Sequence, residues 1–229
     1  RNLQTELLYE RFPSPEEIIR RIKNLEVSLW QRRKEDPDFL AFRLGLGETP
    51  SQVKIKNPDP DIISEQIRRA FGIYTKYRVL PETPVSIDLA ALSSVAIVGR
   101  RNNTVPFARA LLTQAAALNS PDDVHVYLFS SEQYYRIWQW LRWLPHTSAS
   151  HVGGQPNFLA FKREDNKNLL AQISKEIDDV LQTSEDKTNA VLPAISYLMV
   201  FDDEYGVRDE PFFDQMMKKR TGTDTAKPR

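Results

Sequence analysis

Residues 94–106 read Ser-Val-Ala-Ile-Val-Gly-Arg-Arg-Asn-Asn-Thr-Val-Pro. The β-branched run that ends at Gly99 predicts a fully buried strand of a parallel sheet, because such strands are apolar on both faces. The apolar stretch 107–118 predicts a buried helix directly behind the loop. Strand, glycine, loop and helix in this order form the frame of a P-loop, a phosphate-binding turn.

The loop inside this frame lacks the residues that hold phosphate. A P-loop reads G-x-x-x-x-G-K-[ST]: its amides surround the phosphates, its lysine neutralises their charge and its hydroxyl binds Mg²⁺. Here Thr104 replaces the second glycine, Val105 the lysine and Pro106 the hydroxyl residue. Loss of the lysine contact alone costs on the order of 1.5–3 kcal/mol, and proline has no N–H to offer.

Two interpretations of this degenerate loop stay open. Its arginines and the N-terminus of the following helix attract anions, which would preserve some nucleotide binding. Alternatively, the loop only joins the strand to the helix, and we favour this reading. The residues of the degenerate nucleotide-binding loop are Gly99, Arg100, Arg101, Asn102, Asn103 and Thr104.

A second apolar run, residues 195–201, ends in Asp202 and Asp203. A hydrophobic strand that ends in an acid is the pattern of a Walker B strand, whose carboxylate holds Mg²⁺ through water. Buried strands also end in polar residues without any such role, so the pattern becomes informative only beside the loop after Gly99. The predicted site has kept its acids and lost its lysine, as expected of an ATPase-like site that no longer works.

The rest of the pattern predicts an α/β fold. Further strand-like runs lie at 85–89 and 124–129, and helical periodicity lies between them and at 168–181. Strands that alternate with helices indicate a mainly parallel sheet flanked by helices, the arrangement of P-loop NTPases.

The sequence also predicts a division of the chain. Residues 1–35 are expected to form a helical stalk or connector, in which Ser14, Pro15 and Glu17 start an amphipathic helix that runs to about Arg33. Residues 36–217 are expected to form the ATPase-like domain, with a turn at 45–47 and a connector at 77–84. Residues 218–229 are polar and basic without periodicity and are expected to be disordered.

Three of the four tryptophans lie between residues 138 and 146. They belong to a helix that is expected to follow Ser130 or Ser131 and to pack on the sheet. The alternative is a docking surface, because tryptophan and arginine are enriched at binding hot spots. The partner-binding residues of such a surface would be Trp138, Trp140, Arg142 and Trp143.

Composition excludes several other classes of function. The 229 residues carry a formal net charge of zero, which gives no electrostatic grip on nucleic acid. Without cysteine, thiolate metal sites are excluded, and the three histidines lack ligand spacing, so we predict no metal site. No run approaches the roughly 18 apolar residues that span a bilayer. The chain begins at Arg1 in a charged amphipathic stretch, so we expect it to be part of a longer protein.

Several segments together resemble one family. These are Leu-Trp-Gln-Arg-Arg at 29–33, Asp-Pro-Asp-Phe-Leu at 36–40, Arg-Leu-Gly-Leu-Gly at 43–47 and Trp-Leu-Arg-Trp-Leu-Pro-His at 140–146. In this order they are similar to the segment after the membrane helices of the FtsK/SpoIIIE-type ATPases of type VII secretion, the EccC and EssC proteins. The resemblance covers residues 29–203.

The resemblance implies a stalk and a first cytosolic domain with a RecA/FtsK-like, degenerate ATPase fold. It implies a position at the cytoplasmic face of the bacterial plasma membrane, and partners among the secretion subunits. Those partners are EccD-like ubiquitin-like domains and neighbouring ATPase modules. We expect no cofactor in this segment, and we expect the full-length parent, not this segment, to be the ATPase.

Three functional hypotheses follow. The favoured one is a non-catalytic coupling domain of a secretion motor. The second is a nucleotide-binding ATPase domain that uses ATP and Mg²⁺ with Asp202 or Asp203 and an atypical loop. The third is part of an FtsK-like DNA translocase, against which the zero net charge argues.

Overall fold

The computed structural model describes residues 2–52, 64–92, 94–148, 158–185, 195–203, 206–208 and 210–212. The chain divides into two compact units, Arg1–Asn119 and Ser120–Arg229. This division falls within the range 36–217 that the sequence predicts as one domain; the predicted domain boundaries stay predictions. The predicted tail at 218–229 lies outside the described residues.

The first unit contains mainly helices and one antiparallel ribbon. Its elements are α1 (Asn2–Arg11), α2 (Pro15–Lys23), β1 (Ala41–Pro50), α3 (Glu65–Tyr77), β2 (Val79–Asp88), α4 (Leu89–Leu92) and α5 (Arg101–Leu118). Helix α2 begins where the sequence predicts, because the Ser14 hydroxyl accepts a hydrogen bond from the Glu17 amide at 3.2 Å.

The predicted extension of α2 to Arg33 is wrong, because the helix ends at Lys23. Leu25 has a φ of 49°, outside the helical region. The chain then bonds to the end of α5: the amides of Trp30 and Arg32 donate to the carbonyls of Ala117 and Leu118, both at 3.0 Å. These tertiary hydrogen bonds outweigh the modest helical preference of the segment.

Strands β1 and β2 pair antiparallel, and this corrects two predictions. The predicted turn at 45–47 lies inside β1, where two register shifts flank the glycines. Gly47 is needed there, since a Cβ would lie 2.8 Å from Val85 Cγ2. Most of the predicted connector at 77–84 belongs to β2 instead, from Val79 onward, because a two-stranded ribbon consists of edge strands and tolerates proline.

The predicted strand at 94–98 is also not formed. These residues follow α4 without strand structure and are exposed, with Val98 92% exposed. Their β-branched composition satisfies the pattern of a buried strand, but no described residue pairs with them. Composition establishes that a segment can be a strand; only pairing makes it one.

The second unit contains the parallel sheet. Its elements are β3 (Val124–Phe129), α6 (Tyr135–Trp138), β4 (Leu159–Ala160), α7 (Arg163–Glu185), β5 (Ser196–Phe201) and 3₁₀ turns at 132–134, 139–143 and 145–147. Among the described residues the sheet order is β4-β3-β5, and both pairings are parallel. The predicted α/β fold class with a parallel sheet flanked by helices is confirmed, and it is consistent with a P-loop NTPase-like fold.

Aromatic side chains fill the core of this unit. Tyr127 stacks on Phe158 with ring centroids 4.3 Å apart, and Phe129 stacks on Phe201 at 4.8 Å. Helix α7 covers them with Leu170 and Ile173, which are almost fully buried. Burial raises the pKa of the Tyr127 phenol, so this side chain remains neutral.

Candidate functional site

The degenerate loop is wound into the start of helix α5. The helix begins at Arg101, several residues before the predicted position, with Arg100 as its N-cap. Asn102, Asn103 and Thr104 are therefore helical, and Pro106 lies inside the helix. Proline removes the hydrogen bond to the Asn102 carbonyl, which is tolerable because Asn102 is exposed and water can reach it.

The helical conformation engages amides that would bind phosphate in a P-loop. The amides of Asn103 and Thr104 both donate to the Arg100 carbonyl, at 2.8 and 3.1 Å. A phosphate would have to displace these helical hydrogen bonds. Without the second glycine, residues 101–104 take ordinary helical dihedral angles rather than the open curve of amides that an anion needs. Gly99 precedes this turn, and a Cβ there would lie 3.3 Å from Thr104 Cγ2.

The acids lie in the other unit, at the carboxyl end of β5. The Asp202 carboxylate accepts a hydrogen bond from the Trp138 indole at 2.7 Å and another from the Ser130 hydroxyl at 3.1 Å, both to Oδ2. Its amide donates to the Phe129 carbonyl at 3.0 Å. Asp202 is thus held inside the fold by the tryptophan-rich segment and by the end of β3.

Two members of this network, Ser130 and Asn166, are not among the site residues predicted from the sequence. Both are fully buried, and Asn166 Nδ2 donates to the Ser130 carbonyl at 2.8 Å. The position of Ser130, directly after β3, is a usable signal, because residues at the carboxyl ends of parallel strands meet at one edge. Asn166 offers no such signal, since it lies in the first turn of an amphipathic helix, α7.

Asp203 differs from its neighbour in how it is held. Its amide is 3.4 Å from the Phe129 carbonyl, and its half-buried carboxylate has no hydrogen bond to any described residue. Ser131, at the end of the adjacent strand, is 7% exposed, and its hydroxyl also has no partner within the described part of the chain. Asp203 and Ser131 therefore retain capacity for a ligand at this edge.

The tryptophan-rich segment divides into an inner and an outer part. Trp138 is 1% exposed and belongs to the core, whereas Trp140 is half-buried. Arg142 is exposed, and Trp143 is 80% exposed. The predicted docking role stays a prediction, and its accessible members are Arg142 and Trp143.

Comparisons with curated proteins give a consistent result, although no protein-family profile matches the chain. The ESX secretion system protein EccC of Thermomonospora curvata is 29% identical over 155 residues, which cover 65% of this chain and 12% of that protein. The protein of the same name from Geobacillus thermodenitrificans is 29% identical over 147 residues, covering 62% of this chain and 10% of that protein. The ESX-3 secretion system protein EccC3 of Mycobacterium tuberculosis is 25% identical over 189 residues, covering 80% of this chain and 14% of that protein.

The relatives that the chain matches are thus all bacterial secretion-system proteins. This similarity to the EccC proteins of ESX, or type VII, secretion systems agrees with the resemblance found in the sequence. The chain spans about a tenth of the length of these relatives, from 10% to 14%. None of the helices that the described residues form is long and apolar enough to cross a bilayer.

Proposed function

We propose that this chain is a non-catalytic coupling and assembly domain of a membrane-anchored type VII secretion motor. It links the membrane region of a longer protein to downstream ATPase modules. In this role it acts at the cytoplasmic face of the bacterial plasma membrane and contacts other secretion subunits, including an EccD-like ubiquitin-like domain and the neighbouring ATPase modules. Motion and assembly state pass through it by packing, not by hydrolysis.

One observation carries the proposal: the amides of Asn103 and Thr104 are already hydrogen-bonded to the Arg100 carbonyl in α5. The positions of the missing lysine and hydroxyl, Val105 and Pro106, lie in the same helix. In addition, Asp202 is tied to Trp138 and Ser130, so one of the two acids serves the fold. A helix start that uses these two amides and has no P-loop lysine lacks the donors and the charge by which a P-loop holds the phosphates of ATP.

A second candidate function is residual Mg²⁺–nucleotide binding. The carboxylate of Asp203, which bonds to no described residue, and the buried hydroxyl of Ser131 favour it, because both lie at the carboxyl edge of the sheet. A carboxylate and a hydroxyl are oxygen ligands of the kind that Mg²⁺ accepts. Without a phosphate-binding loop, such binding would be weak and would not drive hydrolysis.

The deciding experiment is an isothermal titration of the chain with ATP and with ADP, each in the presence of Mg²⁺. The proposal predicts no binding in the micromolar range and no change on Asp203→Ala. Asp165→Ala, which removes an exposed carboxylate from α7, is the matched control. Micromolar ATP binding that Asp203→Ala abolishes and Asp165→Ala preserves would replace the coupling role with the second candidate.

A further inference from the structure

Tyr135, Arg142 and Trp143 form an exposed cluster, which we call the Trp143 patch. Arg142 Nη1 donates to the Tyr135 hydroxyl at 3.2 Å, and the Arg142 guanidinium carbon lies 5.4 Å from the centre of the Trp143 ring. Tyr135 also packs edge-on against Phe161, with ring centroids 5.0 Å apart. The fork of Arg142 is thus held between two aromatic side chains at the surface.

The fold does not need the ring of Trp143. In the same short segment, Trp138 and Leu141 are 1% and 0% exposed, and they supply the contacts to the core. Trp143 is 80% exposed and lies in the 3₁₀ turn at 139–143, which Leu141 anchors. A large ring that projects from an anchored turn loses little conformational entropy when a partner covers it, since it has only two side-chain torsions.

Three cations lie in or next to the patch in sequence and form no ion pair with the described residues. Arg136, Arg142 and Lys162 are all exposed, and none has a carboxylate within 4.0 Å among the described residues. Arg136 adjoins Tyr135 in the chain, and Lys162 adjoins Phe161. Elsewhere in this unit a surface cation does find an acid, as Lys167 pairs with Glu210 at 2.9 Å. The cations beside the Trp143 patch therefore remain available to an external carboxylate.

We infer that the Trp143 patch binds an acidic segment of a partner protein, one that carries a large apolar side chain beside its carboxylates. The inference rests on the proposed coupling role and names the chemistry of its partner. The planar fork of Arg142 matches a carboxylate with two parallel hydrogen bonds. The Trp143 ring covers the apolar side chain and excludes water from that ion pair, which is how tryptophan and arginine act together at binding hot spots.

Panning a random peptide library against the full 229-residue chain tests the inference directly. Enriched peptides are expected to carry net negative charge and at least one aromatic or long aliphatic residue. Their affinities, measured by fluorescence polarisation, are expected to fall about tenfold or more on Arg142→Ala and on Trp143→Ala. They are also expected to weaken as salt is raised. Lys175→Ala on α7 and Phe71→Ala on α3 remove an exposed cation and an exposed ring elsewhere, and should leave binding unchanged.

Four outcomes would overturn the inference. They are the absence of any enriched peptide, enrichment of basic or neutral peptides, equal binding by the Trp143→Ala variant, and self-association of the chain that Trp143→Ala abolishes. Binding to phosphatidylglycerol vesicles that depends on Trp143 would also replace a protein partner by a lipid surface. The ATP titration is independent of these results. Failure of the peptide experiment would reject the proposed acidic partner, and the coupling role would still be judged by whether the chain binds nucleotide.

Discussion

Replacing Trp138 by phenylalanine tests whether the tryptophan-rich segment holds Asp202. Phenylalanine keeps most of the buried ring and removes the indole N–H that donates to Asp202 Oδ2 at 2.7 Å. A hydrogen bond to a charged acceptor is worth about 1.5–3 kcal/mol, which is a factor of roughly ten to a hundred in the unfolding equilibrium. The smaller ring adds a separate cost from the cavity that it leaves.

A double-mutant cycle with Asp202→Ala separates these two contributions. The cavity cost appears whether or not the carboxylate is present, so it cancels, and the coupling between the two positions is expected at about 1.5–3 kcal/mol. Trp143→Phe is the matched control, because the same chemical change on a ring that is 80% exposed should alter stability by less than about 0.5 kcal/mol.

Because the chain has two compact units, stability should be measured within the second unit and not by a global melt. Native-state hydrogen exchange of β3 amides provides that measurement, since buried strands report the opening of the whole unit. If the loss of unfolding free energy in the double variant equals the sum of the losses for Trp138→Phe and Asp202→Ala to within about 0.5 kcal/mol, the proposed bond between the tryptophan-rich segment and the strand end is refuted.

Three further outcomes are expected. Arg32→Lys should destabilise the first unit by about 2 kcal/mol, as measured by native-state hydrogen exchange of β1 amides. The buried guanidinium of Arg32 bonds to three carbonyls and to Asp38, and one ammonium cannot reach them all. Gly206→Ala should lower the stability of the second unit, since its φ is +83° and a Cβ would lie 2.7 Å from a neighbouring side chain. Gly72→Ala, whose added Cβ would meet open space in α3, should instead stabilise the first unit by about 0.5–1 kcal/mol. Changes in stability of the same sign for the two variants, measured by hydrogen exchange, would contradict this. Two arginines hydrogen-bond to Glu17 and lower its pKa from 4.5 to about 2, so its contribution to α2 is present above pH 4.5 and is lost as the pH falls toward 2; an NMR titration of this carboxyl that gives an ordinary value would contradict it.

Local patterns predicted the elements that local chemistry can decide. The Ser14 cap starts α2 where the sequence indicates, and the apolar runs at 124–129 and 195–201 form β3 and β5. Their parallel pairing follows from the alternation of strands with helices. The resemblance to the EccC family also came from short segments whose order along the chain is visible without a structure.

Patterns failed where a distant partner decides the conformation. The run 94–98 has the composition of a buried strand but gains no pairing in the described structure, so it stays exposed. Residues 77–84 resemble a connector because they contain two prolines, yet pairing with β1 makes all of them from Val79 onward part of a strand. In each case the deciding hydrogen bonds come from residues far away in sequence, which no local window contains.

The candidate site divides in the same way. The sequence by itself determined that the loop after Gly99 lacks its second glycine, its lysine and its hydroxyl, because these are residue types at known spacing. Only the tertiary structure decided that Asp202 bonds to the Trp138 indole while Asp203 does not, since the two acids are neighbours of identical chemistry. Both acids follow the end of β5, and which of them finds a partner depends on a chain segment 64 residues away.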